Sequence, residues 1–319
     1  MPYSLCGTSV DNLGEQACDK SRGVLRKLFI FNGSIAEADY ASTTAFLDKM
    51  IANSKLSKSD ADKIFPLSEV QDITDSSESN KEGSLNQGFK AVLLEGKPAY
   101  KVKMFAGSDL YKRLRTFNNQ SIRLVELDAN GVFWGYKTGT SFKGFQAKVF
   151  FTGNKLATGQ NVEEGVVEAT VSILSVSEYF DNAYWMETPT GGNTEDIVPL
   201  IDVDLAYVSH VTNVLKYSMK IPGSNLVGPY SIGATHGTAI AALSAQFSAK
   251  SGAGTPATSL AITSMTYDAT NDLLVVTYDN TAYNTATGNI KLIPPTPAQL
   301  DTADITETEL LSVTHSKPA

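Results

Sequence analysis

The stretch Gln87-Gly88-Phe89-Lys90-Ala91-Val92-Leu93-Leu94-Glu95-Gly96-Lys97-Pro98-Ala99-Tyr100-Lys101-Val102-Lys103-Met104-Phe105, together with its continuation to Phe151, decides the fold. It predicts a strand from Phe89 to Leu94, a turn at Glu95-Gly96-Lys97-Pro98 and a strand from Ala99 to Phe105. In that strand Tyr100, Val102 and Met104 alternate with Lys101 and Lys103, giving one apolar and one wet face at a period of two. A helix from Asp109 to Phe117 follows, with Ser108 as N-cap, Asp109 in the favourable first turn, and Leu110, Leu114 and Phe117 on one face. Its opposite side carries Lys112, Arg113 and Arg115, either a solvated face or an intersubunit salt-bridge surface. Strands from Ser121 to Leu127 and Val132 to Tyr136 flank Asp128-Ala129-Asn130-Gly131, whose residues tolerate positive φ and close a hairpin. Strand-like runs at Phe142 to Thr152 and Val166 to Tyr179 complete a compact β-sandwich core in which nothing looks catalytic.

Upstream, Val24 to Phe31 reads as a short apolar strand ending at Asn32-Gly33. Ser34 and Glu37 form a capping-box pattern before an imperfect apolar face of Ile35, Ala38, Phe46, Leu47, Met50 and Ile51. Ser59 with Asp62 suggests a second short helix ending before Pro66. From Asp72 to Gly88 the chain is Ser, Asp, Glu, Asn and Gly with hardly an apolar residue. Such a stretch cannot bury a core by itself, and it reads as disorder or as a loop kept for binding a partner.

Composition and charge exclude several classes. With 42% hydrophobic and 19% charged residues, the 319-residue chain is long enough for one large or two ordinary domains. A net charge of −8 argues against a dedicated nucleic-acid binder, which needs a basic stripe to neutralise phosphate. No apolar run approaches the roughly 18 to 20 residues that cross a bilayer. Met1-Pro2-Tyr3-Ser4-Leu5 lacks the regions of a signal peptide, so synthesis in the cytoplasm is expected, with no membrane partner. The spacing of Cys6 and Cys18 and the scattered His210, His236 and His315 make no zinc site; in a reducing compartment the two cysteines are read as reduced structural thiols, with a disulfide as the minor reading.

The texture changes after Trp185. Thr188-Pro189-Thr190-Gly191-Gly192-Asn193 is rich in turn formers, every arginine precedes it, and the sequence beyond is dominated by Ala, Thr, Ser and Val. Two domains are therefore expected, 1–188 and 189–319. The second reads as all-β, with strands at Thr258 to Tyr267, Leu273 to Tyr278 and Asn289 to Ile293, the last stopped by Pro294-Pro295. Its spacing suggests an immunoglobulin-like sandwich without the Cys and Trp landmarks of antibody domains.

Catalytic, cofactor and metal candidates are weak. Asp202 and Asp204 share one face of an expected strand and read as a solvated acidic edge. Asp268 to Asp279 has the length of an EF-hand loop, but Leu273 stands where Gly is required and Asp279 where a bidentate Glu belongs. Ser209-His210 and Thr235-His236 lack a strained glycine elbow, and Gly252-Ala253-Gly254 lacks the Lys-Ser/Thr of a phosphate loop. No enzyme activity and no cofactor are expected.

Phe65-Pro66-Leu67-Ser68-Glu69-Val70 before the acidic stretch, Gly96-Lys97-Pro98-Ala99-Tyr100, the Leu110 to Phe117 helix, Asp128 to Gly131 with Phe133-Trp134-Gly135, and Gly165 to Glu178 together define an order of elements. Over roughly residues 20 to 188 that order resembles the major tail tube proteins of long-tailed bacteriophages. The resemblance implies a mainly β protein: a tail-tube-type sandwich with flanking helices, carrying an immunoglobulin-like domain on the outer tube surface. It implies hexameric rings stacked into a hollow tube in the virion tail, contacts with other tail proteins, and passage of phage DNA through the lumen without specific binding. By similarity the polar stretch, with Asp72, Asp75, Glu78, Lys81 and Glu82, reaches a neighbouring ring, and the N-terminal arm does the same. Barrel closure between subunits would also pair open strand edges that are otherwise an aggregation liability. A lumen that does not grip phosphate fits the overall acidity, with Lys101 and Lys103 as the exception if they face it. Three further readings are another head or tail-tip structural protein, a carbohydrate-binding module needing an exposed aromatic platform from Tyr267, Tyr278 and Tyr283, and a hydrolase, whose required cleft these residues do not assemble.

Overall fold

The computed structural model describes residues 22–84, 90–94, 96–106, 108–154, 166–221 and 231–318. The N-terminal arm with Cys6 and Cys18 lies outside them. The protein is mainly β, with 45% strand and 22% helix arranged in several sheets. Backbone contacts divide it into two units, the first reaching Ser54 and resuming over Ser59–Val198, the second formed by Lys55–Lys58 with the chain from Pro199 on. The division thus falls beyond the turn-rich run at 188–193, because Ile197 is fully buried in a first-unit core and Glu195 pairs with Arg26 at 2.6 Å.

The first unit contains β1 (Leu25–Phe31), β2 (Ile35–Ala36), α1 (Thr43–Ser54), β3 (Ile64–Pro66), β4 (Val70–Asp75), β5 (Lys81–Ser84), β6 (Lys90–Leu94), β7 (Ala99–Phe105) and α2 (Ser108–Leu114). It continues with β8 (Ser121–Asp128), β9 (Val132–Thr138), β10 (Ser141–Lys143), β11 (Phe145–Asn154), β12 (Val166–Ile173), α3 (Val176–Tyr179) and β13 (Ala183–Glu187). An 11-stranded sheet runs β2-β10-β9-β8-β11-β12-β7-β4, with β1 on β8 and β3, and β13 on β9. Because β3 pairs β1 while its continuation β4 pairs β7, the path β1-β8-β11-β12-β7-β4 curls back on itself. The Leu67 N–H, donating to the Leu28 carbonyl at 2.9 Å, ties the return.

That curl encloses one core and leaves a second outside it. Leu28 and Ile30 of β1, Ile122 and Leu124 of β8, Val102 and Met104 of β7, and Val167, Ala169, Val171 and Ile173 of β12 face inward. Phe29, Phe31, Val125 and Leu127 of the same β1 and β8 face outward, where Phe46, Leu47 and Met50 of α1 cover them. Buried on both faces, β1 carries the unbroken apolar run Leu28-Phe29-Ile30-Phe31 and β8 buries Leu124-Val125-Glu126-Leu127-Asp128 without alternation, whereas β12, wetter on one side, alternates cleanly. Phe46 meets Phe142 edge-on at 5.1 Å and Phe133 at 5.4 Å, a favoured aromatic geometry.

Several local expectations are corrected. No capping box forms at Ser34: Ile35 belongs to β2, Glu37–Tyr40 is a 3-10 turn, and α1 starts later, with Ser42 Oγ accepting from the Ala45 N–H at 3.1 Å. Pairing of β2 with β10 outweighs the cap. The short helix expected after Ser59 is absent; β3 is held there by β1. The run to Tyr179 is a strand only to Ile173, after which Ser175 caps the turn α3. Leu110 is 39% exposed, so α2 docks through Leu114 instead, and the side chains of Ser108 and Asp109 lie outside the described residues.

The second unit contains β14 (Ile201–Val211), β15 (Val214–Lys220), α4 (Ile232–Ala242), β16 (Ser248–Gly252), β17 (Thr258–Ser259), β18 (Ile262–Asp268) and β19 (Leu273–Tyr278). It ends with α5 (Asn280–Thr285), β20 (Asn289–Ile293), α6 (Pro297–Asp301), β21 (Thr308–Leu311) and β22 (Val313–Ser316). Two sheets, β18-β19-β15-β14-β21 and β17-β16-β20-β22, contribute to one core with Ile240 of α4 and Leu300 of α6. The all-β expectation is corrected by helices α4, α5 and α6, and β14 pairs parallel with β21. The expected strand from Thr258 to Tyr267 is split between the two sheets, with Leu260 turned into the core between them.

Candidate assembly surface

The polar stretch after Asp72 is not a loop throughout. β4 pairs antiparallel with β7, Asp72 opposite Lys103 and Thr74 opposite Lys101, and β5 pairs with β6 further out. Between the two ladders the Ser76 N–H donates to the Ala99 carbonyl at 2.9 Å and the Glu78 N–H to the Lys97 carbonyl at 3.0 Å. The result is one arm from Val70 to Phe105, rooted in the 11-stranded sheet through the pairing of β7 with β12 and two-stranded beyond Asp75 and Ala99. Residues 71–80 are all exposed, so backbone pairing and not burial makes this segment a strand.

The neck of the arm is locked by short polar contacts. Ser77 Oγ accepts from the Ala99 N–H at 3.1 Å and lies 3.2 Å from the Ala99 carbonyl as donor. Asp75 accepts from the Ser77 N–H at 2.9 Å, and the Ser77 side chain and backbone together hold its carboxyl below the usual range. Gly96 donates to Asn80 Oδ1 at 2.8 Å and lies so close to the facing strand that a Cβ would stand 1.7 Å from the Glu78 carbonyl oxygen. Lys81 and Glu82 sit on β5 opposite Leu94 and Val92; their side chains lie outside the described residues.

Beside the arm, the outward face of β4, β7, β12 and β11 carries charged side chains of both signs, with Lys148 of β11 exposed among them. Lys103 lies 3.6 Å from Asp72 and Lys101 3.8 Å from Glu168. Exposed Phe105 and Phe150 stand on the same face. Among the described residues, β4 has no strand on its other edge. The basic side of the α2 region is also outward: Lys112 and Arg115 are exposed, Arg113 is half-buried, and the Arg115 guanidinium lies 5.7 Å from the Tyr111 ring.

One cluster left no signal in the sequence. Arg22 lies 3.6 Å from the centroid of Tyr179 and donates to the Tyr179 carbonyl at 2.7 Å, with Phe145 and Trp134 alongside. Its guanidinium is 3.7 Å from the buried Glu126, which accepts from Tyr100 Oη at 2.7 Å. Burial pushes the Glu126 carboxyl up, against the opposing pull of Arg22, and pushes the Tyr100 hydroxyl well up. Nearby Asp128, 2% exposed, accepts from the N–H groups of Gly23, Asn130 and Val132 and from Trp134 Nε1, each at 2.9–3.0 Å. The expected Asp128–Gly131 turn thus also fixes the start of β1.

In the second unit, Asp202 lies 3.5 Å from Lys58, and Asp204 is exposed opposite Lys220. No group of metal-ligating side chains occurs among the described residues. His210 Nδ1 meets Tyr207 Oη at 3.0 Å, while the Thr235 hydroxyl donates to the Ser231 carbonyl inside α4. The three tyrosines of the carbohydrate reading form no exposed platform: Tyr278 is fully buried, Tyr283 is 4% exposed, and Tyr267 donates to Asp272 at 2.7 Å. No helix among the described residues is long and apolar enough to cross a membrane. Compared with protein-family models, curated proteins and solved structures, the chain has no significant match in any of the three.

Proposed function

We propose that the protein is a self-assembling structural subunit of the tail tube type, its copies forming hexameric rings that stack into a hollow tube. The observation that carries this reading is the Val70–Phe105 arm: a ribbon that is two-stranded beyond the main sheet, with a strand, β4, that is exposed past Val70 and has no neighbour on its other edge among the described residues. A two-stranded ribbon alone is marginal in water, and an open edge templates further pairing. A neighbouring copy supplies both the missing edge and the contact that justifies so long an arm. The finer fold proposed is a tail-tube-type sandwich followed by an immunoglobulin-like outer domain.

The outer face fits the same reading. Lys101 and Lys103 each stand beside a carboxylate, which weakens the pull of this face on DNA phosphate, with the exposed Lys148 as a remaining cation. In this proposal the subunits are made in the host cytoplasm and reside in the virion tail with other tail proteins. Electron microscopy of the purified chain across a concentration series tests it: hollow tubes or six-fold rings are expected, and a persistent monomer when tail-initiating proteins are also supplied overturns it.

A further inference from the structure

We propose that the second unit carries a binding site for a compact hydroxylated carboxylate of the acidic-sugar kind, centred on Lys317. A cavity of about 540 Å³ opens there, within the range of small-ligand sites. Its walls include the Tyr283 ring, Lys317, Asn284, Thr287, His210 and Pro318. The proposal concerns the second unit alone and does not depend on tube assembly.

Lys317 is held at both ends. Its N–H donates to the Gly288 carbonyl at 2.9 Å, and its ammonium donates to the Ala286 carbonyl at 2.9 Å and the Asn284 carbonyl at 3.4 Å, 4.8 Å from the Tyr283 ring centroid. Gly288 makes this loop possible: its φ is +76°, and a Cβ would stand 2.6 Å from the Gly252 carbonyl oxygen. An ammonium has three donors, and two are used on carbonyls, which leaves one for a ligand. Among the described residues no carboxylate pairs with it. A cation fixed before binding loses little freedom when an anion arrives, which favours a charge-assisted hydrogen bond.

The remaining walls select the rest of the ligand. Asn284, Thr287 and His210 bring an amide, a hydroxyl and an imidazole, suited to hydroxyl groups; Pro318 offers apolar surface to C–H groups, while the buried Tyr283 ring backs the ammonium. A purely apolar ligand would strand these polar groups, and a neutral sugar would leave the ammonium unanswered.

Glucuronate titrated into the full-length protein, followed by saturation-transfer NMR and calorimetry, tests the site. Glucuronate is expected to bind at least about tenfold more tightly than glucose, the charge-assisted bond being the difference. Lys317→Met should weaken it by a similar factor. Because that change also cuts the tether to the loop, Thr287→Glu serves as the second variant: it keeps Lys317 in place and sets a carboxylate in the cavity, and it should likewise weaken binding about tenfold or more while the thermal midpoint is unchanged. Absence of glucuronate binding, equal binding of glucose, or full binding by both variants overturns the proposal. Inorganic phosphate competing as well as glucuronate overturns the sugar class and leaves a simple anion site.

Discussion

β4 and β12 are the two neighbours of β7, and they are strands for opposite reasons. β12 alternates without a break, its Val167, Ala169, Val171 and Ile173 fully buried and its intervening residues wet. β4 has no buried residue, and past Val70 every position is exposed. Burial of apolar surface holds the first; a ladder of backbone hydrogen bonds to an already formed strand holds the second. An element that depends on its neighbour's backbone can be stable in a monomer and still be kept for contact with another copy.

The sharpest break of this comparison is a charge placed on each strand. Val171→Asp puts an unpaired carboxylate among Val149, Tyr100 and the rest of the enclosed core, and it should cost about 4 kcal/mol or more in urea unfolding. Ile73→Asp on β4, at a position 39% exposed, should cost less than about 1 kcal/mol. Similar losses from the two variants would mean that β4 is buried in solution and that its exposure is not the basis of the arm.

A second measurement separates the enclosed core from its charged inclusion. Burial raises the Glu126 carboxyl above its unfolded value of 4.5, so the folded protein favours the neutral form. That contribution is complete below pH 4.5 and is lost as pH rises through the folded value, so stability should decline over this window. Glu126→Gln, neutral at every pH, should flatten the decline while Tyr100 keeps an acceptor. An unchanged slope in the variant would place the titration elsewhere.

What was legible follows the same division. The alternation of Tyr100, Val102 and Met104 and the strand starting at Val166, expected to Tyr179 and ending at Ile173, were legible because a half-buried strand writes a period of two into the sequence. β4 and β5 did not, since Asp72, Asp75, Glu78, Lys81 and Glu82 carry no apolar period, and backbone pairing leaves no mark on side-chain type. The capping pattern at Ser34 misled because a local hydrogen bond competes with a sheet pairing that only the tertiary fold provides. Arg22 and Glu126 are far apart in sequence and have no motif between them, so their pairing could be found only in the fold. Lys317 was likewise invisible: its meaning comes from carbonyls of a loop about thirty residues upstream.

Gly96→Val acts on the arm and not on the core. A side chain there collides with the Glu78 backbone, so the ladder from Ser76 to Gly96 should open. Hydrogen exchange at the Ser76 and Glu78 amides should lose its protection, with a global cost below about 1 kcal/mol because residues 71–80 bury nothing. Rings or tubes should fail to stack although the subunit stays folded; intact tubes from this variant would remove the arm from the interface.

The smallest effect lies on the face beside the arm. Lys101 and Glu168 stand 3.8 Å apart with side chains 49% and 39% exposed, so water screens their attraction. A cycle of Lys101→Met, Glu168→Gln and the double variant should give a coupling below about 0.5 kcal/mol in the isolated subunit. If assembly encloses this face, the same cycle read on the assembled protein should give a larger coupling, because excluding water strengthens the pair and Lys101→Met alone would strand a carboxylate. Equal couplings in the two states would leave the face in bulk water and move the subunit contact to the free edge of β4 alone.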